Sequence, residues 1–556
     1  MHFDDILKQI GEFGKFQIIN YIIICIPLIS AGFHMLVSVF IQVLPPHRCQ
    51  IPGLENDTYE IQGDWHKALT EATIPVTSDG DYSKCTIWAN HTLAYTGNMS
   101  EHKCDSWVYD RSIFTRTFAT DFNLVCKDKE KITPAQVAFM GGVLAGAFIL
   151  GFMADYLGRK LTFLVSMLLQ GLSGTAAAFA PEYYSFVFFR FLDGFSNAGV
   201  MMCAFVLGVE LVGPSKRMYA GLINMYFFAL GEIILALLGY LIRDWQYLEL
   251  AISIPSFLYL SYWWLIPESA RWLLANGKHE EAAKIMRQAA KVNRAHLPEK
   301  FLEQVSEDEE VQSSSLLNIF RAPKLLCRTA IIFYNWCIVS MVYYGLSLNS
   351  GNLGGSIFLN FLVAALVEFP AYTACFTIDK LGRKAVYCGS MLLGGVACLC
   401  SIFVAVYADP DAPSTNWINV CLSMTGKFGA TMAFAIVYVW SAEIYPTVVR
   451  NGLMGFSSTF ARVGGMLAPV IAVSNCFEGK IGQNAALIVF GGTTILAGLL
   501  SLLLPETTGR ELPETIEQAE KVSTRHPGSR KLTDREHREK LGLSLTSLNE
   551  ISMSPR

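Results

Sequence analysis

Charge is what this chain has little of. Asp, Glu, Lys and Arg make up 16% of its 556 residues, against roughly 25% in soluble domains. The shortage is local, because long runs carry few charges or none while the connectors between them carry most. The chain also lacks the signatures of several enzyme classes. It has no Gly-rich phosphate loop ending in Gly-Lys-Ser/Thr, no His-Glu-x-x-His, no Cys-x-x-Cys metal pair and no Gly-x-Ser-x-Gly elbow. An ATP-driven pump needs a nucleotide site, and none is visible. No cofactor or metal is called for. The net charge of −4, without a long basic face, argues against a nucleic-acid partner.

What is present instead is a series of apolar runs. They cover 18–44, 135–154, 161–180, 183–209, 218–242 and 245–266, then 329–348, 357–378, 385–408, 417–442, 452–474 and 484–504. About 20 such residues cross a bilayer core, so each reads as a transmembrane helix. The first run is too long for a signal-peptide core, and Asp4 and Asp5 spoil a basic leader. The expected fold class is therefore an all-α membrane protein of 12 transmembrane helices in two six-helix halves. Its expected parts are an N-terminus 1–17, a first bundle 18–266, an inter-bundle segment 267–328, a second bundle 329–504 and a polar, mostly disordered tail 505–556.

Alternate loops are basic: Arg159/Lys160, Lys216/Arg217, the mixed-charge segment 267–328, Arg383/Lys384 and Arg450. The positive-inside rule places these loops and both termini in the cytoplasm, in a multi-pass protein of the plasma membrane. The largest connector, 45–134, then lies outside. It holds Cys49, Cys85, Cys104 and Cys126 and the sequons at Asn56, Asn90 and Asn98. An even cysteine count on that side predicts a glycosylated, disulfide-stapled cap. Four cysteines allow three pairings, and their spacing does not choose among them.

Three features recur in matching order. Asp155, Gly158, Arg159 and Lys160 return as Asp379, Gly382, Arg383 and Lys384. Glu210 and Arg217 return as Glu443 and Arg450, and Pro267-Glu-Ser as Pro505-Glu-Thr. A single such motif could be topogenic charge that anchors a loop. Three in order imply two similar halves, with ion pairs at the cytoplasmic helix ends and Asp155 available to cap a helix N-terminus.

With these repeats the chain resembles the major facilitator superfamily of secondary transporters. Within it, Glu12-Phe-Gly, Trp107-Val-Tyr-Asp110, Asn123-Leu-Val-Cys126, Pro267-Glu-Ser-Ala-Arg-Trp-Leu273, Gly345-Leu-Ser-Leu-Asn349 and Ser441-Ala-Glu-Ile-Tyr-Pro-Thr447 are similar to the organic cation, carnitine and organic anion transporter family. Val342-Tyr-Tyr-Gly345 and Val212-Gly-Pro214 point toward its insect-type organic cation transporters. The resemblance covers nearly everything from His2 to Glu514. Relatives commonly have six cysteines in the large outer loop and this chain has four. Matched by position, the resemblance implies Cys49–Cys104 and Cys85–Cys126, with both members of a third pair absent.

Ionisable groups at membrane depth cost about 2.5–3.5 kcal/mol on insertion scales and call for a partner or a function. The candidates are Arg190, Asp193, Glu232, Glu368, Lys427 and Arg462. Arg190 and Asp193 sit one turn apart and read as mutual partners. Glu368 and Arg462 fall near the middle of their spans, where facilitator-type carriers place the substrate. They serve either as a substrate pair or as a mutual ion pair. Lys427 reads as a buried partner or as a cavity residue. Trp336, Tyr343, Tyr344, Tyr372 and Tyr438 are candidate cation–π faces, each weighed against plain helix packing. The resemblance implies Arg at the Arg462 position in anion and carnitine carriers and Asp in typical cation carriers. Glu368 with Arg462 therefore suits a carnitine-like zwitterion or a cation, with an organic anion second and a sugar porter or non-transporting receptor behind. The expected partners are a small organic ion, the bilayer and a coupling ion such as sodium or an exchange substrate. Asp155, Arg159, Glu210, Arg217, Asp379, Arg383, Glu443 and Arg450 are expected at a cytoplasmic gate, and alternating access is the expected mechanism.

Overall fold

The computed structural model describes residues 3–77, 80–88, 101–297, 316–353, 355–408, 413–473, 485–510 and 512–522. A short helix α1 (Phe3–Ile10) precedes α2 (Lys15–Leu36). The first half continues through a connector helix α3 (Asp64–Thr73), then α4 (Ile132–Leu157), α5 (Arg159–Ala178), α6 (Tyr183–Leu211), α7 (Arg217–Leu241) and α8 (Trp245–Ser253). Two connector helices follow, α9 (Ala270–Ala275) and α10 (His279–Asn293). The second half holds α11 (Pro323–Asn349), α12 (Ile357–Ala374), α13 (Arg383–Tyr407), α14 (Pro413–Ile444), α15 (Arg450–Val473) and α16 (Ala485–Ser501), and α17 (Ile516–Lys521) ends the described chain.

Among the described residues, nine helices are long and apolar enough to cross a membrane. The other three expected spans differ for local reasons. Span 245–266 is helical in pieces, because the chain tightens into a 3₁₀ turn at Ile254-Pro255 and regains one α-turn at Tyr262–Leu265. Helix α15 carries Arg450, Arg462 and Pro469 among Gly and Ser, which dilutes its hydropathy. Helix α16 runs for only 17 described residues.

Packing repeats between the halves. Helices α4, α5 and α2 contact α6, just as α12, α13 and α11 contact α14. In the same way α2 lies on α7 and α5 on α8, as α11 lies on α15 and α13 on α16. Small residues let the backbones touch: a Cβ at Gly142 would stand 2.0 Å from the Phe191 carbonyl, and one at Gly464 2.0 Å from that of Cys337. The halves meet where α7 lies on α12 and α4 on α15.

The segment between α2 and α4 folds around two short antiparallel pairs. β1 (His47–Cys49) pairs with β4 (Trp107–Tyr109), and β2 (Thr86–Trp88) with β3 (Glu101–Lys103). Disulfides Cys49–Cys104 and Cys85–Cys126 close it, as the resemblance implied. Beneath them Arg48 Nη1 donates to Asp57 Oδ2 at 3.0 Å, and His66 Nε2 lies 3.0 Å from Asp57 Oδ1. Burial pushes the Asp57 carboxyl up, but the Arg48 guanidinium, the Ile51 N–H and His66 outweigh it and hold the group below its ordinary value. Asn56 is exposed; Asn90 and Asn98 lie outside the described residues. At the opposite end α1, α9 and α10 form one apolar cluster. The start of the tail includes α17, and there Arg328 donates to the carbonyls of Ala519 and Val522 at 2.7 and 2.6 Å. Residues 298–315 of the inter-bundle segment and the tail from 523 lie outside the described residues.

Candidate functional site

A cavity lies between the halves. Met35, Met140, Met201, Met225 and Phe228 line it from the first half, and Tyr343, Tyr344, Tyr372, Phe434, Tyr438 and Arg462 from the second. Its volume is about 60 Å³, far below the roughly 300–1,000 Å³ of typical ligand pockets. Contacts between the halves lie on either side of it. At the disulfide-bearing end Phe358 stacks on Phe40 at 5.7 Å and packs against Phe114 and Tyr240. Toward the Gly-Arg-Lys loops Tyr219 stacks on Phe376 at 5.7 Å, and Tyr226 and Thr373 share a 2.8 Å hydrogen bond.

The expected charges are brought together in a different pairing. Glu368 does not meet Arg462. Lys427 Nζ lies 2.7 Å from Glu368 Oε1, and the hydroxyls of Tyr343 and Tyr372 donate to the same carboxylate at 2.7 and 2.9 Å. Lys427 also sits 3.6 Å from the centre of the Tyr343 ring and donates to Ser347 Oγ. The reason is geometric: α12 packs on α14, which carries Lys427. Glu232 reaches across from α7 and receives a second hydrogen bond from Tyr343 at 3.2 Å. Glu232, Glu368 and Lys427 together carry a formal charge of −1. Arg462 reaches only its own helix, donating to Ser458 Oγ at 2.7 Å, and its Nε has no hydrogen-bond partner among the described residues. Tyr343, Tyr344, Tyr372 and Tyr438 do face the cavity. Trp336 does not; it is fully buried, donates to Ser441 Oγ at 2.9 Å and packs edge-on against Tyr438.

The Gly-Arg-Lys loops have one construction, built twice. Gly158 and Gly382 adopt φ of 107° and 92°, a region that favours glycine. Each loop opens a helix whose first N–H groups donate to one carboxylate, half-buried Glu268 in the first loop and buried Glu506 in the second. The N–H groups of Arg159 and Lys160 reach Glu268 Oε1 at 3.1 Å each, and those of Arg383 and Lys384 reach Glu506 at 3.0 Å each. The acid at each helix N-terminus is therefore Glu268 or Glu506, not Asp155, and the helix dipole favours it there. Arg159 bridges Asp155 at 3.2 Å and Glu210 at 3.5 Å, and Arg383 bridges Asp379 at 2.7 Å and Glu443 at 3.1 Å. The Glu-Arg repeats do not pair internally. Arg217 instead holds Asp4 of α1 at 2.6 Å, and Arg450 Nε donates to the Tyr445 carbonyl at 3.1 Å.

Arg190 and Asp193 pair at 2.8 Å as expected, but with company that the sequence reading missed. His34 Nδ1 lies 3.0 Å from Asp193, and Glu249 3.6 Å from Arg190. Glu249 had a signal, being the one acidic residue within span 245–266. His34 had none beyond a polar side chain in an apolar run.

With this geometry in hand, the comparisons agree on kind. The profile described as "Sugar (and other) transporter" matches residues 105–519. An organic cation transporter protein of Drosophila melanogaster is 40% identical over 94% of this chain and 95% of its own length. Solute carrier family 22 member 3 of Mus musculus is 34% identical over 94% of this chain and 96% of its own. A D-xylose–proton symporter structure superimposes with a TM-score of 0.58 at 14% identity, over 89% of this chain and 99% of that one, which speaks to fold alone. The chain is a multi-pass membrane transporter, not an enzyme, and belongs to the major facilitator superfamily, in the family of the organic cation transporters and solute carrier family 22.

Proposed function

We propose that this transporter moves organic cations or carnitine-like zwitterions across the plasma membrane by alternating access. The observation that carries the reading is the pairing of Glu368 with Lys427 at 2.7 Å. It removes Glu368 from the free charges and leaves Glu232, from the first half, and Arg462, from the second. A zwitterion satisfies both: its ammonium offsets the surplus negative charge at Glu232, and its carboxylate meets the Arg462 fork. The four cavity tyrosines add cation–π faces worth about 0.5–2 kcal/mol each. Relatives named organic cation transporters support the cationic end.

Alternating access follows from size. A cavity of about 60 Å³ admits no such solute until the halves separate at one end. In this reading the chain has 12 spans and cytoplasmic termini, with its boundaries at residues 18, 267, 329 and 505. The disulfide-bearing cap is extracellular with Asn56 glycosylated, and the two Gly-Arg-Lys clusters form the cytoplasmic gate. An organic anion is the second reading, favoured by the unpaired Arg462 guanidinium.

Uptake by expressing cells of carnitine, tetraethylammonium and an aromatic carboxylate, with and without sodium, tests the substrate class. Arg462→Ala should cut carnitine uptake tenfold or more and leave tetraethylammonium within about twofold. Equal loss of both assigns Arg462 to structure. Glu232→Gln should cut uptake of carnitine and tetraethylammonium alike, since each presents an ammonium there, and an aromatic carboxylate carried better than either cation-bearing probe replaces the first reading with the second.

A further inference from the structure

A second cavity, far larger than the central one, plays no part in the mechanism above. It opens in the disulfide-bearing segment, between the loop 55–62 and the strand end 107–112, with a volume of about 930 Å³. That is the upper end of the range in which proteins hold whole small ligands. Trp107 and Tyr109 belong to one wall, two residues apart on β4 and therefore on one face of the strand. Their polar ends are tied: Trp107 Nε1 donates to the Lys84 carbonyl and the Tyr109 hydroxyl to Asn123 Oδ1, each at 3.0 Å. Tyr59 belongs to the other wall, the loop 55–62. That loop is held as firmly. Arg48 Nη2 donates to the Thr58 carbonyl at 2.6 Å, the Asp57 carboxylate is fully buried on Arg48, and the Gln62 N–H donates to His66 Nδ1 at 2.9 Å. Asn56, the acceptor of the sequon Asn56-Asp-Thr58, lines the same cavity and is exposed.

We propose that this cavity is a carbohydrate-binding site for the glycan of Asn56, whose inner sugars fold back onto Tyr59, Trp107 and Tyr109. The inference rests on the extracellular placement and the glycosylation of Asn56 proposed above. In that modification Asn56 Nδ2 bonds to C1 of the first N-acetylglucosamine, the amide gives up one proton, and the lipid pyrophosphate that carried the sugar leaves. Three features favour a sugar as the occupant. A pyranose ring presents apolar C–H faces and a rim of hydroxyls, and this lining offers a counterpart to each. The aromatic faces meet the first, and the planar polar groups of Glu60, Gln62 and Asp110 meet the second. Both walls are also held before the ligand arrives, so binding costs little ordering entropy. Finally, the sugar is joined to the wall itself, which gives it an effective concentration of about millimolar. A free organic ammonium ion, which the carboxylates could also attract, has no such advantage. The glycan is thereby part of the folded disulfide-bearing segment and not a chain in solvent.

Full-length protein from a glycosylating host tests the site. Mass analysis of the Asn56 peptide first reads occupancy: an unmodified Asn56 overturns the glycosylation itself, and the inference with it. On occupied protein, an endoglycosidase that cuts between the first two sugars is timed on the same peptide. Cleavage requires the sugars to leave the wall, so its rate follows the open fraction. The folded parent should be cut at least about tenfold more slowly than denatured parent, and folded Tyr59→Ala about threefold or more faster than folded parent. Trp65→Ala, which removes an exposed aromatic of the same segment outside the cavity, should leave the parent rate unchanged. A glycan cut as fast from folded as from denatured parent overturns the site. Equal rates in parent and Tyr59→Ala overturn it too and leave the cavity to another ligand. So does an equal acceleration by Trp65→Ala, which would mean that the whole segment had loosened. If Tyr59→Ala does not fold, Gln62→Ala is measured instead; it should also be cut faster than the parent, and an unchanged rate overturns the site.

Discussion

At Gly158 and Gly382 a hydrogen atom is the only side chain that fits. Besides the positive φ, a Cβ would stand 2.5 Å from Glu268 Oε2 and 2.7 Å from Glu506 Oε2. Gly158→Ala should therefore cost about 1–3 kcal/mol in backbone strain and push Glu268 off its helix. A lower Tm and slower transport with unchanged substrate preference would show it; altered preference would count against a gate role. The two capping acids are also not equivalent. Burial pushes Glu268 up from its ordinary value despite the backbone donors of Ser269, Lys160 and Arg159. Burial acts on Glu506 too, but the Thr508 hydroxyl and the N–H groups of Thr508, Lys384 and Arg383 outweigh it and hold that carboxyl down. A depressed carboxyl stabilises above the ordinary glutamate range and loses that contribution as pH falls through its folded value. A raised one favours the fold at low pH and loses that advantage as pH rises. At pH 7 Glu506→Gln should thus lower Tm more than Glu268→Gln, with the gap closing near pH 4. Melting curves of both variants decide this.

At the scale of elements, α1 is too short to be helical alone. It is held by the burial of Ile6, Leu7 and Ile10 against α9 and α10 and by Asp4, which lies 2.6 Å from Arg217 and 3.3 Å from Arg271. Partly exposed pairs of this kind contribute about 0.2–1 kcal/mol each. Asp4→Ala should loosen α1 without unfolding the bundle, and trypsin should cut after Lys8 or Lys15 several times faster. Unchanged cleavage would mean that the apolar contacts alone hold α1. The break in span 245–266 belongs to this scale as well. An apolar run predicts burial in a bilayer, but Pro255 and the 3₁₀ turn around it decide that the run is not one straight helix.

For the whole molecule, the closed cavity is the main constraint. Phe358 of the second half plugs the disulfide-bearing end against Phe40, Phe114 and Tyr240. Phe358→Ala should weaken that closure. A membrane-impermeant thiol reagent added outside should then label a Tyr344→Cys reporter faster, in a background with the other free cysteines replaced. Equal labelling with and without Phe358 would place the closure elsewhere. Each half has its own repeated set of helix contacts, which the proposed alternating access requires if each half is to move as a unit.

The apolar helices of nine spans, the cysteines of the disulfide-bearing segment and the doubled motifs were legible along the chain, because hydropathy and loop chemistry are decided by consecutive residues. Glu368, Arg462, Lys427 and the tyrosines were legible as candidates, but Glu368 and Arg462 were not legible as strangers to each other. Nor did any run of residues bring His34 beside Asp193, or Glu249 beside Arg190. The partner of a buried charge is whichever opposite charge the helix crossings carry to within about 3–4 Å, and those crossings are set by contacts between helices distant in sequence. The sequence by itself therefore determined the class of protein and the charges it must satisfy. Only the tertiary structure decided which charges satisfy one another.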